Sequence, residues 1–130
     1  MMRSHAVFLA YDVNDLAVVL RERIAVERAW QGLTLMDYDV RVPFQTEGAA
    51  HVQASIAARL GECHGLICCV GMDTWRSPWI EWELEYARVL NMPVVGWRVP
   101  GSDGCRPPKG FEGRWSDDVS LQTAIAALLQ

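Results

Sequence analysis

One carboxylate in this chain sits where apolar packing belongs. The segment Pro78-Trp79-Ile80-Glu81-Trp82-Glu83-Leu84-Glu85-Tyr86-Ala87-Arg88-Val89-Leu90 has helical periodicity, with Pro78 suited to the first turn. At roughly 100° per residue, Trp79, Ile80, Leu84, Tyr86, Ala87 and Leu90 share one broad sector, and Glu83 projects near its centre. Glu81, Glu85 and Arg88 fall on the opposite side, facing solvent. A carboxylate against apolar packing is costly unless paired or hydrogen-bonded. Glu83 is therefore either a structural anchor, bonding a loop amide or reaching water at the helix edge, or a group that does chemistry. Glu81 and Glu85 read as ordinary residues of a wet helix face.

Other catalytic signatures are missing or generic. The chain has no GxxxxGK[ST] loop and no GxGxxG after its first strand, so neither phosphate-binding fingerprint is met. Residues 71–77 can offer backbone amides to a phosphate at a helix start, a property of many such turns. There is no GxSxG elbow, and His5, His51 and His64 all fall early, which argues against a Ser-His-Asp hydrolase. Trp75, Trp79, Trp82 and Trp97 cluster around the Glu83 segment. Trp97 reads as core, whereas Trp75, in a loop, is placed to stack on a flat ring. Cys63, Cys68, Cys69 and Cys105 lack metal-ligand spacing. Cys68 and Cys69 are adjacent in an apolar run, so they face opposite sides of a strand as reduced core thiols. No metal site is expected.

The elements that must position Glu83 follow from apolar patterning. Residues 6–11 read as a buried strand, with Asp12-Val13-Asn14-Asp15 as turn and helix cap. A helix over 16–30 follows, with Leu16, Val19, Leu20 and Ile24 at helical spacing, stopped by Gly32. Residues 33–38 form a second strand, 39–48 an irregular loop over a site, and 49–60 a second helix ended by Gly61. The continuous apolar run 66–70 fits a strand covered on both faces. The loop 71–77 leads into the Glu83 helix, and 92–97 is the fourth strand. The Gly- and Pro-rich stretch 100–118 is a long connection with one short edge strand. A closing helix over 120–129 sets Leu121, Ile125 and Leu128 or Leu129 against the sheet.

Strands alternating with helices predict a parallel sheet of four or five strands with right-handed crossovers. Ligands bind such sheets beyond the carboxyl ends of the strands. That edge carries Tyr11-Asp12, residues 37–39 and 71–77, and the segment after Trp97, within reach of Glu83. With 130 residues, 51% of them hydrophobic, the chain suits a single domain over residues 1–130. A net charge of −4, with no basic cluster, argues against nucleic acid as a partner. No stretch has the length of a signal peptide or a membrane span, so a cytoplasmic location without membrane contact is expected.

The run Val70-Gly71-Met72-Asp73-Thr74-Trp75-Arg76-Ser77-Pro78-Trp79-Ile80-Glu81-Trp82-Glu83-Leu84-Glu85-Tyr86-Ala87 resembles the core of TIR-like domains of bacteria and archaea, including the Thoeris antiphage-defence sensor family. These have an apolar strand, Gly, Thr, then Ser and Trp leading into Trp-x-x-Glu, with an alanine one turn later. Val7-Phe8-Leu9-Ala10-Tyr11, followed by Asp12 and Asp15, resembles the start of a TIR domain, with Ala10 where many have Ser. Pro93-Val94-Val95-Gly96 resembles the strand that follows. The similarity touches most of residues 6–99 and is weak over 39–61 and after Pro100.

The resemblance implies a three-layer flavodoxin-like α/β fold and, in enzymatic members, cleavage of the nicotinamide–ribose bond of NAD as substrate, without a cofactor. The family's catalytic glutamate falls on Glu83. Loss of nicotinamide leaves an oxocarbenium-like carbon that a carboxylate stabilises, or whose ribose hydroxyls it holds. Phe8 or Tyr11 and Trp75 would frame base and ribose, and Asp12, Thr74 and Ser77 would position hydroxyls or phosphate. Desolvation by Trp79 and Ile80 would raise the glutamate pKa. Thoeris-type members produce a cyclic or modified ADP-ribose signal, sensed by a separate effector protein. Two alternatives remain: a non-enzymatic TIR-like interaction module, and a nucleoside deoxyribosyltransferase-like N-glycosidic enzyme. Trp82 and Val89, at the fringe of the Glu83 helix, are candidates for homo-oligomer contacts.

Overall fold

The computed structural model describes residues 5–38, 43–116 and 120–130. Five strands and four helices follow in the order β1 (His5–Ala10), α1 (Leu16–Ala29), β2 (Leu33–Met36), α2 (Ala49–Leu60), β3 (Gly65–Val70), α3 (Pro78–Val89), β4 (Val94–Arg98), β5 (Arg114–Trp115) and α4 (Leu121–Leu128). Short 3₁₀ turns, Val13–Asp15 and Thr74–Arg76, lead into α1 and α3. The strands make one sheet in the order β2-β1-β3-β4-β5, and every pairing is parallel. This 2-1-3-4-5 order is the flavodoxin-like arrangement, whose connections reverse direction between β1 and β3 and leave a crevice at the strands' carboxyl ends. The fifth strand is the short edge strand expected in the long connection after Pro100.

Side-chain alternation along the strands divides the core in two. Val7, Leu9, Ile67, Cys69, Val95 and Trp97 pack with Val19 and Val26 of α1 and with Leu121, Ala124, Ile125 and Leu128 of α4. Phe8, Ala10, Leu66, Cys68 and Val70 pack with Val52, Ile56 and Leu60 of α2 and with Trp79, Ile80, Leu84 and Ala87 of α3. Helices thus cover both faces, giving three layers. Cys68 and Cys69 fall on opposite faces as free, buried thiols, and Trp97 is fully buried.

The structure corrects the orientation of α1. Leu20 and Ile24, expected in the core, are 43% and 50% exposed. The buried positions are Val19 and Val26, two turns apart, because α4 packs beside α1 on the same sheet face and sets its rotation. Leu90, expected on the apolar sector of α3, is 40% exposed. It lies past the last helical turn, where the chain turns at Asn91 with φ of 58°. Part of the loop expected over 39–48, residues 39–42, lies outside the described residues.

The β4–β5 edge depends on a close backbone approach. A Cβ on Gly113, immediately before β5, would lie 2.4 Å from the Val94 carbonyl oxygen, a contact that only backbone movement relieves. Gly113→Ala should therefore cost about 1–3 kcal/mol. In urea unfolding this is expected as a lower midpoint with an unchanged slope; an unaltered midpoint would show that β5 contributes nothing to stability.

Candidate functional site

Glu83 owes its position to how α3 begins. The Ser77 hydroxyl accepts a hydrogen bond from the Ile80 amide at 3.3 Å, and Pro78 occupies the first turn, where its missing N–H costs nothing. The cap fixes where the helix starts and, by counting, which residues face the sheet. Trp79, Ile80, Leu84 and Ala87 are buried, and Glu83 is buried among them at 4% exposure. Glu85 and Arg88 lie outside as an ion pair. Trp82 and Tyr86 stack on one another at 5.3 Å along the same helix, while Val89 is exposed.

Glu83 lines a cavity of about 100 Å³ together with Leu9, Tyr11, Asp12, Val13, Tyr38, Ser77, Trp79 and Ile80. Tyr11, Asp12 and Tyr38 follow the carboxyl ends of β1 and β2, so the cavity sits at the sheet edge where α/β domains bind ligands. No hydrogen bond or ion pair reaches the Glu83 carboxyl among the described residues. Burial pushes its pKa well above the ordinary carboxylate value, and the negative charge of Asp37 pushes it further. Burial also raises the Cys68 thiol, with the Glu83 charge adding to it, so no thiolate nucleophile stands beside the carboxyl.

Tyr11 is held from behind. Its hydroxyl donates to Asp37 Oδ2 at 2.5 Å, and the Arg23 guanidinium of α1 donates to Asp37 Oδ1 at 3.0 Å and to the Leu35 carbonyl at 2.6 Å. On the helical side, Phe44 meets the Trp79 ring edge-on at 4.9 Å.

Four of the seven site residues read from the sequence therefore share one cavity: Tyr11, Asp12, Ser77 and Glu83. Two of these also have structural duties, Ser77 as the α3 cap and Asp12 as acceptor from the Asn14 amide at 2.9 Å. Phe8 does not line it. As an inner residue of β1 on the α2–α3 face it is wholly buried in the core. Thr74 does not line it either: its buried hydroxyl accepts from the Gly71 amide at 2.7 Å and donates to the Cys69 carbonyl at 3.3 Å, closing the turn after β3. Trp75 is 39% exposed and lies under the Arg106 guanidinium at 4.2 Å, away from the cavity lining. Trp79 and Ile80, expected to shield Glu83 from water, line the cavity with it, whereas sequence reading missed Tyr38. An aromatic residue at the carboxyl end of β2 was the available signal for Tyr38.

The parallel 2-1-3-4-5 sheet with helices on both faces is the architecture of a TIR-like domain. A model of the family described as Thoeris protein ThsB, TIR-like domain, matches residues 8–103, and the chain belongs to that family. The match reaches from β1 past β4; β5 and α4 follow it. Among solved structures, the glutaminase domain of Trypanosoma brucei CTPS with bound acivicin is similar at 18% identity and a TM-score of 0.43, over 72% of this chain and 35% of that one. This chain thus spans about a third of that protein's length. No curated protein matches the chain. Among the described residues, no helix is long and apolar enough to cross a membrane, and no group of His, Cys, Asp and Glu could hold a metal ion.

A buried carboxyl with a raised pKa makes stability depend on pH. Below the ordinary value of 4.5, folded and unfolded chains both hold the Glu83 proton, and burial carries no ionic penalty. As pH rises from there through the raised folded value, the unfolded chain ionises first and stability is lost. Glu83→Gln should remove this loss. Its thermal midpoint should match the parent near pH 4 and exceed it at pH 7 and above, for a stability gain on the order of 1–2 kcal/mol. Melting curves across pH check this; equal midpoints at pH 8 would show that the carboxyl is solvated in the fold.

Proposed function

We propose that this protein cleaves NAD at the nicotinamide–ribose bond and forms a cyclic or modified ADP-ribose that a separate effector senses in antiphage defence. The observation that carries this reading is Glu83: a nearly buried carboxyl, without a partner among the described residues, facing a cavity at the carboxyl edge of the sheet. Evenly buried acids of purely structural use are paired or hydrogen-bonded. The family supplies the bond on which such a carboxyl acts.

The chemistry follows from where charge develops. As the C1′–N bond breaks, its electron pair leaves with nicotinamide, whose ring becomes neutral, and positive charge gathers on the ribose carbon. The Glu83 carboxylate beside that carbon stabilises the charge in a site of low dielectric, where one fixed charge acts strongly. Tyr11 and Tyr38 frame the ring, Trp79 and Ile80 limit water, and Ser77 and Asp12 offer polar contacts to the ribose. Water or a nucleophilic atom of the bound ADP-ribosyl unit then closes on C1′. The cavity is too small for a whole dinucleotide, so the adenosine portion lies outside it.

Purified protein incubated with NAD should release nicotinamide, and Glu83→Gln should lower that rate by about 10²–10³-fold. Equal rates in parent and variant would eliminate Glu83 as the essential carboxylate. Because the reactive form is ionised and burial raises the pKa, the rate should climb with pH through that raised value and level off above it. The residual rate of Glu83→Gln should lack this limb.

A further inference from the structure

A second cavity lies at the other end of α3, away from Glu83. Its volume of about 310 Å³ is within the range that small molecules occupy. Leu84 of α3 forms an apolar floor with Met92, Pro93 and Val94, where the chain enters β4. Because every strand pairing is parallel, the start of β4 is at the amino edge of the sheet, opposite the Glu83 crevice. Among the described residues the two cavities share no lining residue. The rim of this second cavity is fixed by its own contacts. The Phe111 amide donates to the Pro108 carbonyl at 3.2 Å across Gly110, whose φ of 86° such a tight turn favours. Phe111 packs on Trp115 of β5 at 4.9 Å, and Gly113 rests on the Val94 carbonyl with no room for a Cβ. A wall set before any ligand arrives lowers the ordering cost of binding.

Two guanidiniums from different elements reach this lining, Arg88 from the last turn of α3 and Arg114 from β5. Arg88 is paired with Glu85, but both side chains are more than half exposed, at 65% and 58%, and an ion pair of that kind is weak and exchanges readily. Arg114 gives an N–H to the Ala127 carbonyl at 2.8 Å, which anchors its side chain at the rim. The planar fork of a guanidinium carries further donors. Glu112 also lines the cavity, within electrostatic reach of Arg88.

From this arrangement we infer that the cavity is a second ligand site, for a small carboxylate with a flat apolar body, its carboxylate held by Arg88 and Arg114 and its rings laid on Leu84, Pro93 and Val94. The division of labour follows from the lining. Apolar burial supplies affinity for the rings, while guanidiniums match the plane and charge of a carboxylate and select against neutral analogues. Glu112 works against the same charge, so it sets an upper limit on affinity. The volume suits a bicyclic acid rather than a dinucleotide. Since α3 walls both cavities, an occupant here holds the final turns of the helix that carries Glu83, yet its binding is independent of NAD cleavage.

Titration calorimetry on the full chain at neutral pH with 2-naphthoate, 2-naphthamide and acetate tests this. The naphthoate should bind about tenfold tighter than the neutral amide of the same shape, and acetate, which lacks the rings, should not bind at millimolar concentration. Arg88→Gln, a change at an exposed side chain, should remove most of that preference, as should Arg114→Gln. Glu112→Gln should tighten 2-naphthoate several-fold and leave 2-naphthamide unchanged. With 2-naphthoate bound, amide hydrogen exchange should slow over residues 84–89 and 110–114. Equal affinity for acid and amide, acetate binding as tightly as 2-naphthoate, or no binding of 2-naphthoate at millimolar concentration would each overturn the inference. Protection appearing around Tyr11 and Tyr38 instead would place the ligand in the Glu83 cavity and overturn it as well. A full preference for the acid in both arginine variants would overturn the role of the guanidiniums. Glu83→Gln should bind 2-naphthoate as the parent does, so loss of NAD cleavage and loss of this site are read separately.

Discussion

Everything at this site depends on holding a carboxyl group out of water without giving it a partner. Desolvation disfavours the charged form by an amount that no contact within the described residues offsets, so the Glu83 position is maintained by the rest of the fold. The restraint comes from both ends of α3. Ser77 and Pro78 fix where the helix begins, and Ile80, Leu84 and Ala87 bury against β1 and β3 with Ile56 and Leu60 of α2. Burial of these apolar side chains, at roughly 25 cal/mol per Å², locks the rotation of the helix. One turn of that locked face is given over to an acid.

The same residues explain how much the sequence revealed. The α3 phase was legible because a proline, a serine cap and a run of large apolar residues leave one solution for the buried face, and Glu83 falls within it. Continuous apolar runs likewise marked β1 and β3, since strands covered on both faces need no polar alternation. The phase of α1 was not legible. Its apolar residues Leu16, Val18, Val19, Leu20, Ile24 and Val26 spread over much of the helix circumference, so periodicity permits several rotations. Contact with α4, more than ninety residues later in the chain, selects Val19 and Val26. Local spacing carries no record of that contact.

The site shows the same division between local and distant causes. Tyr11, Asp12 and Ser77 could be read from topology alone, because the residues after a strand or before a helix must reach the sheet edge. The bond from Tyr11 to Asp37 spans 26 positions, and neither residue's immediate neighbours announce it. Thr74 illustrates the opposite hazard. A polar residue in a loop near a site suggests ligand contact, yet the turn after β3 has a buried amide and carbonyl of its own, and the threonine hydroxyl satisfies both. The backbone's need for hydrogen bonds was the stronger claim on that side chain.

Family membership and a carboxyl in a crevice are different kinds of support. The family fixes the fold over residues 8–103, but a fold accommodates both enzymes and interaction modules. A purely adhesive domain has no need of an acid on the buried face of α3, where glutamine or leucine would fit the same space without an ionic penalty. Retaining Glu83 makes sense if something carrying positive charge, or acquiring it during reaction, enters the cavity and turns that penalty into attraction. The carboxyl is then poorly placed in the empty protein and well placed in the complex, so binding and ionisation become one event. Differential stabilisation of this kind is what a catalyst requires.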